Sequence, residues 1–389
     1  MRKGTAAALC VVAVGACDAD RNRETTLVEV GGSRPTVAVT DSGAVLVAWV
    51  ETANVMLARS EDGIAFDAPM QVNDVAGDAA PHEQAPAQVA VSHNGDVYVA
   101  WQNNTHAEGR RFPYSDLRFA RSLDGGRRFQ PAVTVNDDAD GPPSSHTFHT
   151  LIIAADGTIY VSWIDGRATA DEHHGGGSGP QIRIARSTDR GTSFSKSILV
   201  AEGACPCCRT AMAAGPEGRL AVAWRSVRDG DVRDIVVSRS EDGGETFSAP
   251  VVVHEDGWRI DGCPHAGPSL AVDGEGRLHV AWYTGAEGGA GVFHAVSTDG
   301  GTTFGHVRPL MAGEWVPVSL VSLATDAGGR VWAAWDDRRV DPVTVNVVSL
   351  DGGDETSLGG RAPSLAAAAG LRAVSVIDGD AVKVRTWRQ

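Results

Sequence analysis

The sequence predicts an all-β fold, a β-propeller of four-stranded antiparallel blades, with seven blades favoured and six as the alternative. Three observations lead there. A Gly turn, a β-rich run and a Trp recur as GAVLVAW, GDVYVAW, GTIYVSW, GRLAVAW, GRLHVAW and GRVWAAW, ending at Trp49, Trp101, Trp163, Trp224, Trp282 and Trp335. Successive tryptophans are 52, 62, 61, 58 and 53 positions apart, the length of one blade. Glycine is abundant, 46 in 389 residues with no collagen period, which calls for many tight turns and therefore many short strands.

Each unit divides into four strands. An apolar run about 15 residues ahead of the Trp, such as PTVAV or PSLAV, is the first. The run ending in Trp is the second, and its alternation is the period-2 pattern of a strand. A third follows, such as DIVVSRS, and a fourth comes after a tight turn, such as APVVV. After Trp335 the runs 363–369, 371–376 and 380–387 read as three strands of a last, shorter unit. TTLVEV at 25–30 supplies its fourth, so strands from both termini close the ring and hide its edges.

The turn between third and fourth strands is more specific. It reads SLDGGRRF at 122–129, STDRGTSF at 187–194, SEDGGETF at 240–247 and STDGGTTF at 297–304. A shorter version runs from Ser60 to Phe66, and a decayed one begins at Ser349. These turns resemble the Asp box (BNR repeat) of the sialidase-like β-propellers, over nearly the whole chain after residue 24. The resemblance implies a structural role for Asp62, Asp124, Asp189, Asp242 and Asp299. The Asp caps turn amides, Gly supplies a positive φ, and the aromatic ring packs between sheets.

The first residues read as an export signal. Arg2 and Lys3 precede the apolar run 5–14, which is too short to span a bilayer, and Val14-Gly15-Ala16-Cys17 follows. This resembles a bacterial lipobox. The expected organisation is a lipoprotein signal peptide at 1–16, a short linker at 17–24 after a lipidated Cys17, and one propeller over 25–389. The expected location is the cell envelope, periplasmic or surface-exposed, with the membrane reached through the N-terminal lipid. Net charge is −15, or −17 without Arg2 and Lys3. That leaves no basic footprint for nucleic acid, and the chain is expected to be a monomer.

Up-and-down topology puts the loop into each first strand and the loop after each second strand on one face. Those loops hold eight of the 12 histidines: His82, His106, His146, His149, His173, His174, His254 and His265. They also hold CPCCRT (205–210) and GCPHAG (262–267). Cys205 and Cys263 each lie 19 residues before their own Trp, and Cys207 and His265 each lie 17 before. Two adjacent blades thus carry Cys-Pro-Cys and Cys-Pro-His at the same register. Disulfides between the loops are one reading, since an envelope compartment lets them persist. The other is a metal site with Cys205, Cys207 or Cys208, Cys263 and His265 as candidate ligands, to which His146, His149 and Tyr283 add further ligands or contacts around them. Soft sulfur with one imidazole favours Cu(I) or Zn(II).

The sialidase resemblance also implies a carboxylate-binding arginine trio, for which guanidinium forks are suited, and a Tyr nucleophile with a separate Asp acid/base. Arg34, in Ser33-Arg34-Pro35, stands where the family carries Arg-Ile-Pro. Arg209 shares its register, 15 residues ahead of the Trp. Arg225 or Arg233 would be the third member, Tyr283 the nucleophile and Asp165 the acid. Three functions are consistent with these residues. They are a non-hydrolytic propeller binding a ligand or soft metal at its Cys/His face, an exo-sialidase-type hydrolase acting on a glycan, and a protein-binding scaffold.

Overall fold

The six Trp-bearing strands are buried almost end to end. In 45–50 of the first, no residue is more than 1% exposed. Alternation therefore understates them, because both faces of the sheet are covered by neighbouring sheets. The computed structural model, which describes residues 22–28, 31–106, 108, 113–168 and 179–388, accounts for this with seven four-stranded antiparallel sheets. The signal segment, Cys17, His173 and His174 lie outside the described residues.

The blades follow the chain. Blade 1 is β2 (Thr36–Val39), β3 (Val45–Glu51), β4 (Asn54–Ser60) and β5 (Met70–Gln71). Blade 2 is β6 (Gln88–Val91), β7 (Val97–Gln102), β8 (Leu117–Ser122) and β9 (Val133–Thr134). Blade 3 is β10 (His146–Ile153), β11 (Ile159–Asp165), β12 (Gln181–Ser187) and β13 (Ile198–Ala201). Blade 4 is β14 (Ala211–Ala214), β15 (Leu220–Arg225), β16 (Ile235–Ser240) and β17 (Val251–Val252). Blade 5 is β18 (Ser269–Val272), β19 (Leu278–Thr284), β20 (Ala290–Ser297) and β21 (Arg308–Gly313). Blade 6 is β22 (Val321–Thr325), β23 (Val331–Asp337), β24 (Thr344–Ser349) and β25 (Glu355–Gly359).

Blade 7 takes β26 (Arg361–Ala368), β27 (Leu371–Asp378) and β28 (Ala381–Arg388) from the C-terminus. Its outer strand is β1 (Asn22–Val28), paired antiparallel with β28 from Asn22↔Trp387 to Val28↔Val382. The ring thus has seven blades rather than six, closed by both ends of the chain. In blades 1, 2 and 4 the outer strand is only two residues long, so those sheets expose little unpaired edge.

The Ser-x-Asp turns have the same geometry in each full copy. Ser187 Oγ donates to Asp189 Oδ1 (2.7 Å), which also accepts the amides of Thr192 (2.9 Å) and Ser193 (3.1 Å). The Gly191 amide donates to Ser187 Oγ at 2.9 Å. Asp124, Asp242 and Asp299 repeat this pattern, and Asp62 accepts the amides of Ile64 and Ala65. The aromatic that ends the turn packs between blades, as Phe194 does edge-on against Phe119 with ring centroids 4.9 Å apart. Gly191 is required twice over. Its φ is +75°, and a Cβ there would sit 2.5 Å from the Phe119 ring. Gly191→Ala is therefore expected to lower stability by about 1–3 kcal/mol through strain and overpacking. Thermal unfolding measures this, and an unchanged Tm would refute the role given to the turn.

Candidate functional site

The loops ahead of the first strands meet across the ring axis. Contacts between blades that are not neighbours establish this. His82, from the loop before β6, lies beside His265, from the loop before β18, with ring centroids 6.1 Å apart. Glu83, next in the same loop, accepts from Arg338 beyond β23 (3.2 Å) and from Arg361 in β26 (3.0 Å). Arg34, ahead of β2, donates to the Glu83 and Pro363 carbonyls and is only 3% exposed. Blades 1, 2, 5, 6 and 7 thus share one mouth, and blade 4 joins it through the loop at 205–210.

That loop gathers thiols. Cys205 Sγ lies 3.5 Å from Cys208 Sγ and 3.6 Å from Cys207 Sγ, and all three are buried and unbonded. The next blade supplies Cys263 and His265, both exposed. One donor atom each from Cys205, Cys207 and Cys208 fall within 4.8 Å of one another, and so do those of Cys207, Cys263 and His265. Arg233 Nη1 donates to Cys205 Sγ at 3.3 Å. Hydrogen bonding with Cys207 and Cys208, then with Arg233, pulls the Cys205 thiol far below its ordinary range. Burial and the adjoining Cys205 sulfur push Cys208 up to about 12. Two further sulfurs and a guanidinium thus surround the Cys205 sulfur.

Backbone contacts fix the loop. The Cys205 amide donates to the Arg225 carbonyl (2.8 Å) and the Thr210 amide to the Phe148 carbonyl (3.2 Å). Gly267 packs so tightly on it that a Cβ would sit 2.2 Å from the Arg209 carbonyl oxygen. The two Cys-bearing loops can therefore touch only with glycine at 267. His265 has φ +52°, a left-handed conformation that is uncommon outside glycine.

The arginines divide. Arg209 is half-buried, and its guanidinium has no hydrogen-bond partner among the described residues. Burial and the charge of Arg34 depress it well below its ordinary range. Burial also lowers Arg34 to about 10, with Glu83 and Asp336 opposing and Arg338 reinforcing. Arg225 is not exposed at the mouth. Its fully buried guanidinium donates to the carbonyls of Ala266, Arg233 and Tyr283 and stacks on Trp258, 4.9 Å from the ring centroid.

Other residues named from the sequence are taken up by the scaffold. The Tyr283 hydroxyl is buried and donates to the Val316 carbonyl at 2.7 Å. Asp165 is fully buried and accepts from Trp163 Nε1 and from Arg167, in blade 3. His146 and His149 lie on β10 rather than in a loop and do not join the thiols. His146 Nε2 faces Asp138 (3.0 Å) and Asp165 (3.6 Å), and Nδ1 faces the Ser115 carbonyl. Burial opposes its charge, but the Asp138 hydrogen bond and the two carboxylates outweigh this and raise its pKa. His149 Nε2 contacts the Ala100 carbonyl at 3.1 Å, and its Nδ1 is buried without a partner. Among the remaining histidines, His106 is exposed and His254 pairs with Asp256 at 2.8 Å. Glu83, Arg338 and Arg361 were not foreseen. Charged loop residues carry no periodicity, and only their position ahead of a first strand or after a second one marks them.

No protein-family model matches the chain, and no curated protein matches it. Solved structures share its fold. The chain is similar to a protein of unknown function from Dyadobacter fermentans at 17% identity (95% of this chain, 99% of that one, TM-score 0.54). It is also similar to a Hadza microbial sialidase at 15% identity (90% and 74%, TM-score 0.56). An ulvan lyase, a polysaccharide lyase, matches at 12% identity (93% and 95%, TM-score 0.60). At these identities the likeness is one of fold.

Burial lowers His149 to about 4 and His294 to about 3. Unfolded histidine titrates near 6.5, so below that pH the unfolded chain takes up protons that the native chain refuses. Native stability therefore falls as pH drops from about 6.5 toward the folded values. His149→Gln is expected to reduce that slope by one proton, about 1.4 kcal/mol per pH unit between pH 6 and 4.5. Urea midpoints at the two pH values test it, and an unchanged slope would place the acid sensitivity elsewhere.

Proposed function

We propose that this chain is an exported propeller that holds a soft metal ion, Cu(I) or Zn(II), at its channel mouth and is anchored to the membrane through lipid on Cys17. The observation that carries the reading is the buried, unbonded thiol trio of Cys205, Cys207 and Cys208, with Cys263 and His265 against Cys207. Three sulfurs within bonding reach of one ion, beside the guanidinium of Arg233, form a donor set suited to a thiophilic cation. Metal binding requires thiolates, and cationic neighbours favour them. His146 is assigned instead to a carboxylate network with Asp138, Asp165 and Arg167, whose ion pairs already satisfy it.

The adjacent guanidinium groups of Arg34 and Arg209 favour a second reading for the same mouth. Arg34 lies close enough to depress Arg209, and no carboxylate among the described residues answers Arg209. Such a pair suits the carboxylate of an acidic glycan. A sialidase and a polysaccharide lyase among the fold neighbours are in keeping with a glycan there. Hydrolysis by Tyr283 is not part of this reading, since its hydroxyl is committed to Val316.

Protein purified without chelator should carry Cu or Zn in fixed proportion, and Cys205→Ser should lose it. Elemental analysis beside a thiol count on the denatured chain decides. Absence of both metal and free thiols would leave disulfides and end the metal reading. Arg209→Ala should weaken binding of free sialic acid or glucuronic acid at least tenfold by calorimetry, and equal affinities would remove the second reading.

A further inference from the structure

The five soft donors at the mouth form two groups that share one atom. Cys205, Cys207 and Cys208 make the inner group, and Cys207, Cys263 and His265 the outer one. Only Cys207 Sγ belongs to both. We propose that the mouth holds two Cu(I) ions bridged by the Cys207 thiolate, the inner ion on Cys205, Cys207 and Cys208 and the outer ion on Cys207, Cys263 and His265. This rests on the metal reading above and deepens it.

Four observations converge on two ions. First, the donors form two groups of three, and a thiolate sulfur has lone pairs enough to bind two metals at once. Second, three donors suit Cu(I), which accepts trigonal sulfur and imidazole coordination, whereas a closed zinc site takes four ligands. Third, charge is matched. Two Cu(I) ions and four thiolates leave two negative charges, and the cluster is flanked by two guanidinium groups. Arg233 donates to Cys205, and the charge of Arg225 acts on Cys208. Fourth, accessibility is graded. The inner trio is buried, while Cys263 and His265 are exposed and form a route by which an ion reaches it.

The contact of Gly267 with the Arg209 carbonyl holds the two loops in register, so the shared position of Cys207 follows from the backbone. Loading needs no redox step. The metal enters as Cu(I), each S–H that becomes a ligand gives its proton to solvent, and His265 binds as the neutral imidazole.

Chelator-free, fully reduced protein, titrated anaerobically with Cu(I) against bathocuproine disulfonate, tests the proposal. Two equivalents per chain should be withheld from the chelator. Cys263→Ser combined with His265→Ala should withhold one. Both positions are exposed, so this variant should fold, which its circular dichroism and Tm verify. Cys207→Ser should lose the second equivalent as well as weaken the first. A wild-type stoichiometry of one, unchanged in the Cys263/His265 variant, would overturn the bridged pair while leaving a single-metal site. Two equivalents in both proteins would also overturn it. No withheld copper at all would remove the metal reading together with this one.

Discussion

Everything in this molecule depends on packing between blades. Among the described residues there are seven hydrophobic clusters, and each straddles one junction between neighbouring sheets. Six contain the Trp that ends a second strand, and the junction of blades 6 and 7 uses Trp332 instead. Removing such an aromatic from a core costs about 3–5 kcal/mol, against a total stability of about 5–15 kcal/mol. One sheet cannot bury both of its faces alone, so no blade is complete without its neighbours, and the ring must close. The pairing of β1 with β28 is the last of these requirements, and it makes the two ends of the chain one structural unit.

Closure fixes what happens at the mouth. Loops from blades 1, 2, 4, 5, 6 and 7 are brought together there whether or not their side chains are compatible. The result is locally unlike the rest of the protein. A chain of net charge −15 places Arg34, Arg209, Arg338 and Arg361 around the axis, with Glu83 and Asp336 the carboxylates paired to them. Glu83 bridges two guanidiniums, and its backbone carbonyl accepts from a third. Among the described residues no carboxylate answers Arg209, in a setting where burial penalises its charge. Such an excess of buried positive charge favours any anion that enters, whether a ligand carboxylate or a thiolate of the protein itself.

Much of the fold was legible because a repeated unit repeats its physics. The Trp and the Ser-x-Asp turn mark the same two places in successive blades, and counting from them assigns strands. The register argument for Cys205 and Cys263 worked for the same reason. Equal offsets from the Trp mean equal positions on neighbouring blades, and Cys207 and His265 do meet. What failed were assignments that needed the destination of a side chain. Tyr283 and Arg225 lie next to the mouth in sequence, but strand alternation turns them into the junction with Trp258, where carbonyls of Val316 and Ala266 receive them. His146 and His149 were placed in a loop, yet β10 begins at His146. The irregular register between Thr147 and Thr150, with φ +56° at Phe148, is invisible in composition. Gly267 was also silent, because its need is for space against another loop rather than for a turn.

The segment 205–210 joins the two proposed ligands. It supplies three thiols and, at the next residue, the guanidinium of Arg209. Its ends are tied to Arg225, Phe148 and Ser162, and its backbone is pressed by Gly267. A segment so restrained cannot rearrange for one ligand without moving the groups that serve the other. If the sulfur cluster holds a metal and the arginine pair an anion, filling one site would alter the affinity of the other, and the effect would be reciprocal. The metal and glycan readings are better treated as two coupled ligands of one rigid turn than as rivals.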